Sequence, residues 1–263
     1  MPVIKLEGRR IHYAEHGGGE RAVVFLHGGF GSSSELWART AAALPPGWRG
    51  YAIDNFLRSD APPEGYSVQA FARRAGLFID ALGLQRPVLA GHSMGGVVCQ
   101  IAGIELGARL GGLVLVCTGP TMTDHELGRR LLAELEREGP QALRAISTHW
   151  FRHAPADFFP GYVERACAAP LSAMIDVQAS MIATDLRPML RHVSVPALVV
   201  FGCHDTGRTR EHALALLEGV ADSRLAEMPD SGHTPMLETP AAFDAAFHRF
   251  LRNIEGASPP AAH

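Results

Sequence analysis

Four short apolar runs recur along the chain: Ala22–Leu26, Val88–Ala90, Leu113–Cys117 and Ala197–Phe201. Uninterrupted runs of this kind suit strands covered on both faces of a parallel sheet. Tyr51–Asp54 and Arg224–Met228 carry weaker versions of the same signal. Val3–Leu6 and Ile11–Glu15 predict a hairpin that turns through Glu7-Gly8-Arg9-Arg10. The expected total is about eight strands. Helical periodicity fills the gaps. Ser67 caps a segment with Phe71, Ala75, Phe78 and Leu82 on one face, closed by Gly83. Thr239-Pro240 opens a last helix with the stripe Phe243, Phe247, Phe250 and Ile254. Shorter helices are expected over Ser34–Leu44, Met94–Leu106 and Arg210–Leu217. Strands alternating with helices predict an α/β fold, a mostly parallel sheet with helices on both faces.

One interval breaks the alternation. Residues 120–194 contain no strand pattern. Thr123-x-x-Glu126 reads as a capping box ahead of Leu127, Leu131, Leu132 and Leu135, with a stop at Gly139-Pro140. Pro155, Pro160, Pro170 and Pro188 cut the remainder into short helices. The expected organisation is a core of residues 1–119 and 195–256 with a helical cap, 120–194, inserted over the sheet edge. Residues 257–263, rich in Ala and Pro, are expected to be a disordered tail.

The run at Val88–Ala90 ends in Gly91-His92-Ser93-Met94-Gly95, and a helical pattern follows at once. This is G-x-S-x-G between a strand and a helix, the context in which a serine is strained and pushed clear of the backbone. Gly91 and Gly95 leave room where a Cβ would clash. The helix beginning at Met94 aims unpaired N–H groups at the space beside Ser93. A serine nucleophile needs a base, and the base needs a positioned acid. Asp205 follows the apolar run 197–201, and His233 lies in the Gly/Pro-rich loop Ser231-Gly232-His233-Thr234-Pro235 after the last strand. Loops at the C-terminal ends of parallel strands share one edge, so Ser93, Asp205 and His233 can converge there. Asp124 is a rival for the acid, and His204 reads as structural. After the run 22–26 comes His27-Gly28-Gly29-Phe30, a loop of the type that offers a backbone N–H beside the serine. Gly29, with Phe30 second, and Met94 are the expected oxyanion donors, while His27 packs the loop.

Composition narrows the picture. A net charge of −3 gives no electrostatic case for nucleic acid. No apolar run reaches the roughly 20 residues of a bilayer span, and the N-terminal decapeptide has no apolar signal core. Cys99, Cys117, Cys167 and Cys203 are scattered, with no C-x-x-C, so neither a metal site nor a disulfide framework is expected. The expectation is a cytoplasmic protein with a small-molecule substrate and neither a metal nor an organic cofactor.

Together, His27-Gly28-Gly29, Gly91-His92-Ser93-Met94-Gly95-Gly96, Gly202-x-x-Asp205 and Ser231-Gly232-His233 resemble the α/β-hydrolase-fold serine hydrolases of the small type with a helical cap. The resemblance runs over nearly the whole chain and is weakest across 120–194. It implies a Ser-His-Asp triad and ester hydrolysis through an acyl-enzyme, with lactonase or C–C bond hydrolase as alternatives, or a ligand receptor with a vestigial triad. Fold alone does not choose among them. Ser93 argues against relatives that use an aspartate nucleophile. Two departures stand out. Asp54-Asn55-Phe56-Leu57-Arg58-Ser59 lacks the glycines that many relatives carry after this strand, and the H-G-S-G-P-G loop of many ring-cleavage-product hydrolases is missing. Phe30, Trp150, Phe151 and Met236 are expected to bind substrate, with Phe158, Phe159, Met174 and Met181 as further apolar candidates. Arg152, Arg187 and Arg191 are available to an anionic substrate, although a solvated face is the better account of them. An apolar pocket would favour a small to medium apolar or aromatic ester.

Overall fold

The computed structural model describes residues 1–123 and 125–256. Asp124, the rival acid, and the tail 257–263 lie outside the described residues. The strands are β1 (Val3–Leu6), β2 (Arg9–Gly17), β3 (Arg21–Leu26), β4 (Trp48–Ile53), β5 (Val88–His92), β6 (Gly112–Val116), β7 (Ala197–Gly202) and β8 (Ser223–Met228). They form one sheet in the order β1-β2-β4-β3-β5-β6-β7-β8. Pairing is antiparallel at β1/β2 and β2/β4 and parallel from β4 onward. The four apolar runs are the four central strands, each almost wholly buried. The hairpin turn is tighter than expected. Glu7 and Gly8 alone make it, both at positive φ, and Arg9 and Arg10 already pair with Leu6 and Lys5.

Helices α1 (Ser33–Leu36) and α2 (Ala38–Ala42) replace the single helix expected over 34–44. The break falls at Trp37, which is fully buried and whose Nε1 donates to the Leu26 carbonyl at 3.1 Å. Helix α3 (Val68–Ala81) starts at Ser67, whose hydroxyl accepts from Ala70 N, and its Phe71, Ala75 and Phe78 are buried. Helix α4 (Met94–Leu106) follows β5 directly and is buried along most of its length, as a helix under the sheet centre must be.

After β6 the chain enters α5 (Glu126–Glu138), α6 (Ala142–Ile146), α7 (Phe159–Cys167) and α8 (Leu171–Ala183), then returns to β7. The start of this stretch meets its end. Thr121 bridges Asp185, and Leu186 N donates to the Pro120 carbonyl at 2.8 Å. The expected capping box at Thr123 is not what starts α5. His125 is the N-cap, and its Nδ1 accepts from Gly128 N at 2.9 Å. The helix starts two residues later, so the imidazole serves Gly128 N, whereas a cap at Thr123 would have served Glu126 N. Helix α9 (Arg210–Gly219), α10 (Pro235–Glu238) and α11 (Pro240–Gly256) complete the chain. Phe243, Phe247 and Phe250 of α11 pack with Phe25 and Trp37 on one sheet face, while α3 and α4 pack on the other. Among the described residues, no single helix is long and apolar enough to cross a membrane.

Candidate active site

Ser93 joins β5 to α4 at φ 51° and ψ −112°, a conformation L-residues avoid. The neighbours over-determine it. Ser93 N donates to the Val116 carbonyl at 2.9 Å, and Thr118 Oγ1 donates to the Ser93 carbonyl at 2.7 Å. A Cβ on Gly91 would come within 2.1 Å of Gly95 O, and one on Gly95 within 2.3 Å of Leu26 O. Strand and helix therefore approach through glycine alone.

Asp205 and His233 reach each other from separate loops. A Cβ on Gly202 would fall 1.8 Å from Gly232 O, which shows how closely these loops are pressed together. His233 Nδ1 donates to Asp205 Oδ2 at 2.6 Å. The other carboxylate oxygen accepts from Gly207 N and Arg208 N, both at 2.8 Å. Burial alone would raise the Asp205 carboxyl. The charge and hydrogen bond of His233, with the two backbone donors, hold it below the usual carboxylate range instead. Asp205 has no side-chain exposure, and His233 retains 10%. Ser93 and His233 line one cavity. A strained serine and an imidazole held by a carboxylate are the parts a hydroxyl nucleophile requires.

Two buried histidines brace the floor. His92 Nε2 donates to the His233 carbonyl at 2.8 Å, and its ring lies 4.7 Å from the His233 ring. Burial, with His233 beside it, pulls its pKa down to about 3. His27 is fully buried. Its Nε2 accepts from Asn55 N at 3.1 Å, and burial likewise pulls its pKa below the ordinary value. Both rings are neutral, one protonated on Nε2 and the other accepting there.

The glycine loop carries Gly29 at φ +57°. Asp54 grips the chain just beyond this loop, accepting from Ser32 Oγ, Ser34 N and Ser34 Oγ at 2.8–3.0 Å. The departure at Asn55-Phe56-Leu57 serves the glycine loop from behind. Phe56 is fully buried, edge-on to Phe30 at 5.8 Å and tilted against His27 at 5.6 Å, so it backs the cavity wall without lining it. Met94 N lies at the first turn of α4, where no intrahelical acceptor exists.

Of the expected substrate contacts, Phe30, Trp150 and Phe151 line the cavity, joined by Met181, Met122, Leu127, Leu131, Ile146 and Tyr162. Met236 does not. It is fully buried in the core cluster that holds Phe243 and Phe247. Phe158, Phe159 and Met174 also pack elsewhere than on the cavity. Arg152 pairs with Asp230, Arg187 with Asp185, and Arg191 bonds the Pro188 carbonyl, all away from the cavity.

Three residues of the site carry little signal in the sequence. Glu238 clamps the histidine loop: Oε1 accepts from Gly232 N and Thr234 N, and Oε2 from Arg152 N and His153 N. An acid at the end of a one-turn helix that follows the histidine is its only trace. Arg208 lines the cavity. Cys117, at φ 45°, sets its thiol beside Asp205 and His233. The three ligand-type atoms lie within 4.8 Å of one another. Burial pushes the Cys117 thiol far from the thiolate a metal needs, and Asp205 is already committed to His233 and two backbone donors.

Residues 23–246 match the model of the alpha/beta hydrolase family. The chain belongs to that family. It is 28% identical to 2-hydroxy-6-oxo-6-phenylhexa-2,4-dienoate hydrolase of Comamonas testosteroni, over 92% of this chain and 91% of that protein. It is 23% identical to 3-oxoadipate enol-lactonase 2 of Acinetobacter baylyi, over 93% and 94%. An esterase structure from Exiguobacterium antarcticum superimposes with a TM-score of 0.85 at 23% identity, covering 97% of this chain and 99% of that one. The last likeness is one of fold. With the family model matched over most of the chain and hydrolases among the sequence relatives, this alpha/beta hydrolase is an enzyme.

Proposed function

We propose that this alpha/beta hydrolase cleaves a carboxylic ester through an acyl-enzyme. His233 takes the proton of Ser93 as the hydroxyl attacks the carbonyl. Asp205 keeps the proton of the neutral ring on Nδ1 and stabilises the imidazolium. Met94 N–H and a loop donor, Gly29 or Phe30, hold the oxyanion, each such donor contributing about 3 kcal/mol to barrier lowering. His233 then protonates the leaving alcohol, and water releases the acyl group by the same steps. The observation that carries this reading is a serine at φ 51° sharing one cavity with an imidazole 2.6 Å from a buried carboxylate.

Residues 120–194 act as the cap over this site. The pinched ends at Thr121 and Asp185, and the cavity contacts of Trp150, Phe151 and Met181, support that role. The walls are mainly apolar, which suits a small to medium acyl or aromatic group. Four unpaired cysteines suit a reducing, cytoplasmic setting.

Ser93→Ala is expected to lower kcat for a p-nitrophenyl ester by about 10⁴-fold or more, with an unchanged circular dichroism spectrum. Retained turnover in that variant would exclude Ser93 as nucleophile. A C–C hydrolase and a lactonase are among the relatives, so a parallel panel of lactones and vinylogous diketones identifies the preferred bond. Multiple turnovers separate all of these from a receptor with a vestigial triad.

A further inference from the structure

Hydrolysis as described leaves one charged group in the cavity unused. Arg208 lies three residues beyond Asp205, on the loop between β7 and α9. Its backbone N–H serves Asp205, but among the described residues its guanidinium makes a single hydrogen bond, from Nη1 to the Thr121 carbonyl at 3.2 Å. A guanidinium carries five N–H donors. The residue is only 4% exposed and lines the cavity with Ser93 and His233. Burial draws its pKa down to about 10, opposed by the nearby charge of Asp205, so it stays protonated at neutral pH. The Asp205 carboxylate is itself engaged with His233 and two backbone N–H groups. Donors without a protein partner, on a residue that lines the cavity, are open to a ligand there.

The surroundings leave Arg208 alone in its sign. No Asp or Glu lines the cavity among the described residues, and Arg208 is its one Lys or Arg. His125, its lining neighbour, has both ring nitrogens engaged, with Gly207 O and Gly128 N, and burial lowers its pKa. The sheet order β3-β5-β6-β7 sets Phe30 on one side of Ser93 and Arg208 on the other. Two strand spacings, about 10 Å, separate β5 from β7. An anion at Arg208 is therefore several bonds removed from a carbonyl at Ser93. The flat guanidinium fork matches a carboxylate bidentately, and one cation balances a carboxylate's single charge where a phosphate would need more.

We propose that Arg208 is a specificity-determining residue that binds a remote carboxylate of the substrate, so that half-esters of short dicarboxylic acids, or lactones bearing such a carboxylate, are preferred over neutral analogues. This rests on the hydrolysis reading of Ser93. The test compares the mono-p-nitrophenyl ester of adipic acid with the same ester whose free carboxylate is methylated. Wild type is expected to favour the anionic ester at least tenfold in kcat/KM, mainly through KM. In Arg208→Gln that ratio collapses to within about threefold, and Arg208→Lys restores part of it. Calorimetric titration with adipate is the readout that needs no turnover: wild type binds, and Arg208→Gln binds at least about tenfold more weakly. A wild-type ratio near or below one without adipate binding overturns the proposal, whether or not the variants fold. So does a ratio that survives Arg208→Gln. If neither ester turns over while adipate binds through Arg208, the hydrolysis reading falls and the carboxylate site stands.

Discussion

The serine elbow and the helical segment over it obey different packing rules. At the elbow, backbone meets backbone. Hypothetical Cβ atoms on Gly91, Gly95 and Gly28 all fall under 3.0 Å from main-chain atoms of neighbouring elements. In the helical segment, glycines meet flexible tips or open space: Met122 Cε at Gly128, the Arg165 guanidinium at Gly161, and nothing closer than 3.9 Å at Gly139. The first region fixes the strand-to-helix turn at Ser93. The second presents side chains that can be exchanged without moving the first. The two regions thus differ in how much side-chain change each tolerates.

The sharpest way to break this contrast is one substitution made in both regions. Gly91→Ala drives a methyl into Gly95 O, Gly95 C and Gly96 N, at 2.1, 2.3 and 2.6 Å. None of these atoms can rotate away. The expected cost is upwards of about 4 kcal/mol, with loss of folded, active enzyme. Chemical denaturation checks it, and a Gly91→Ala protein of near-normal stability and activity would show that the elbow flexes.

Acid is the next lever, and it acts from below the elbow. His27 and His92 are buried and neutral, their pKa values pulled under the ordinary 6.5 by burial. Between the folded and unfolded values the unfolded chain binds more protons, so stability falls as pH drops through 6.5. By pH 5.5 each histidine costs roughly 1 kcal/mol. Urea midpoints at pH 7.5 and 5.5 should differ accordingly, and hydrogen exchange should rise first at the Gly28 and Ser93 loops. Equal midpoints would mean that these rings are charged or solvated in the folded protein.

Legibility in the sequence divides along the same line. The central strands are readable because burial on both faces leaves uninterrupted apolar letters, as in Val23–Leu26 and Val114–Val116. The elbow is readable because its close approaches admit only glycine. The less legible residues depend on long-range polar partners that carry no local pattern. Glu238 matters because folding brings it the backbone N–H groups of Gly232, Thr234 and Arg152. Arg208 looks like any loop arginine until folding buries it, while Arg152, Arg187 and Arg191 go to other partners. Met236 departs from expectation because an apolar residue next to the histidine loop can face the site or the core, and the sequence does not say which. His125 displaces Thr123 as a cap because an imidazole is seldom read as one.

The mildest prediction sharpens the other half of the contrast. Gly161 lies inside α7, and a Cβ there would meet Arg165 Nη1 at 3.0 Å. Arg165 is 44% exposed and pairs with Glu35, so its guanidinium can swing outward at the cost of a surface ion pair worth about 0–1 kcal/mol. Against that, alanine in a helix interior gains about 0.5–1 kcal/mol over glycine. Gly161→Ala should therefore be neutral to slightly stabilising, with a Tm change between zero and about +3 °C. A loss beyond about 2 kcal/mol, comparable to an overpacked core, would mean that α7 is pinned on the Glu35 side as tightly as the elbow glycines are pinned on the sheet. The difference in tolerance between the two regions would then disappear.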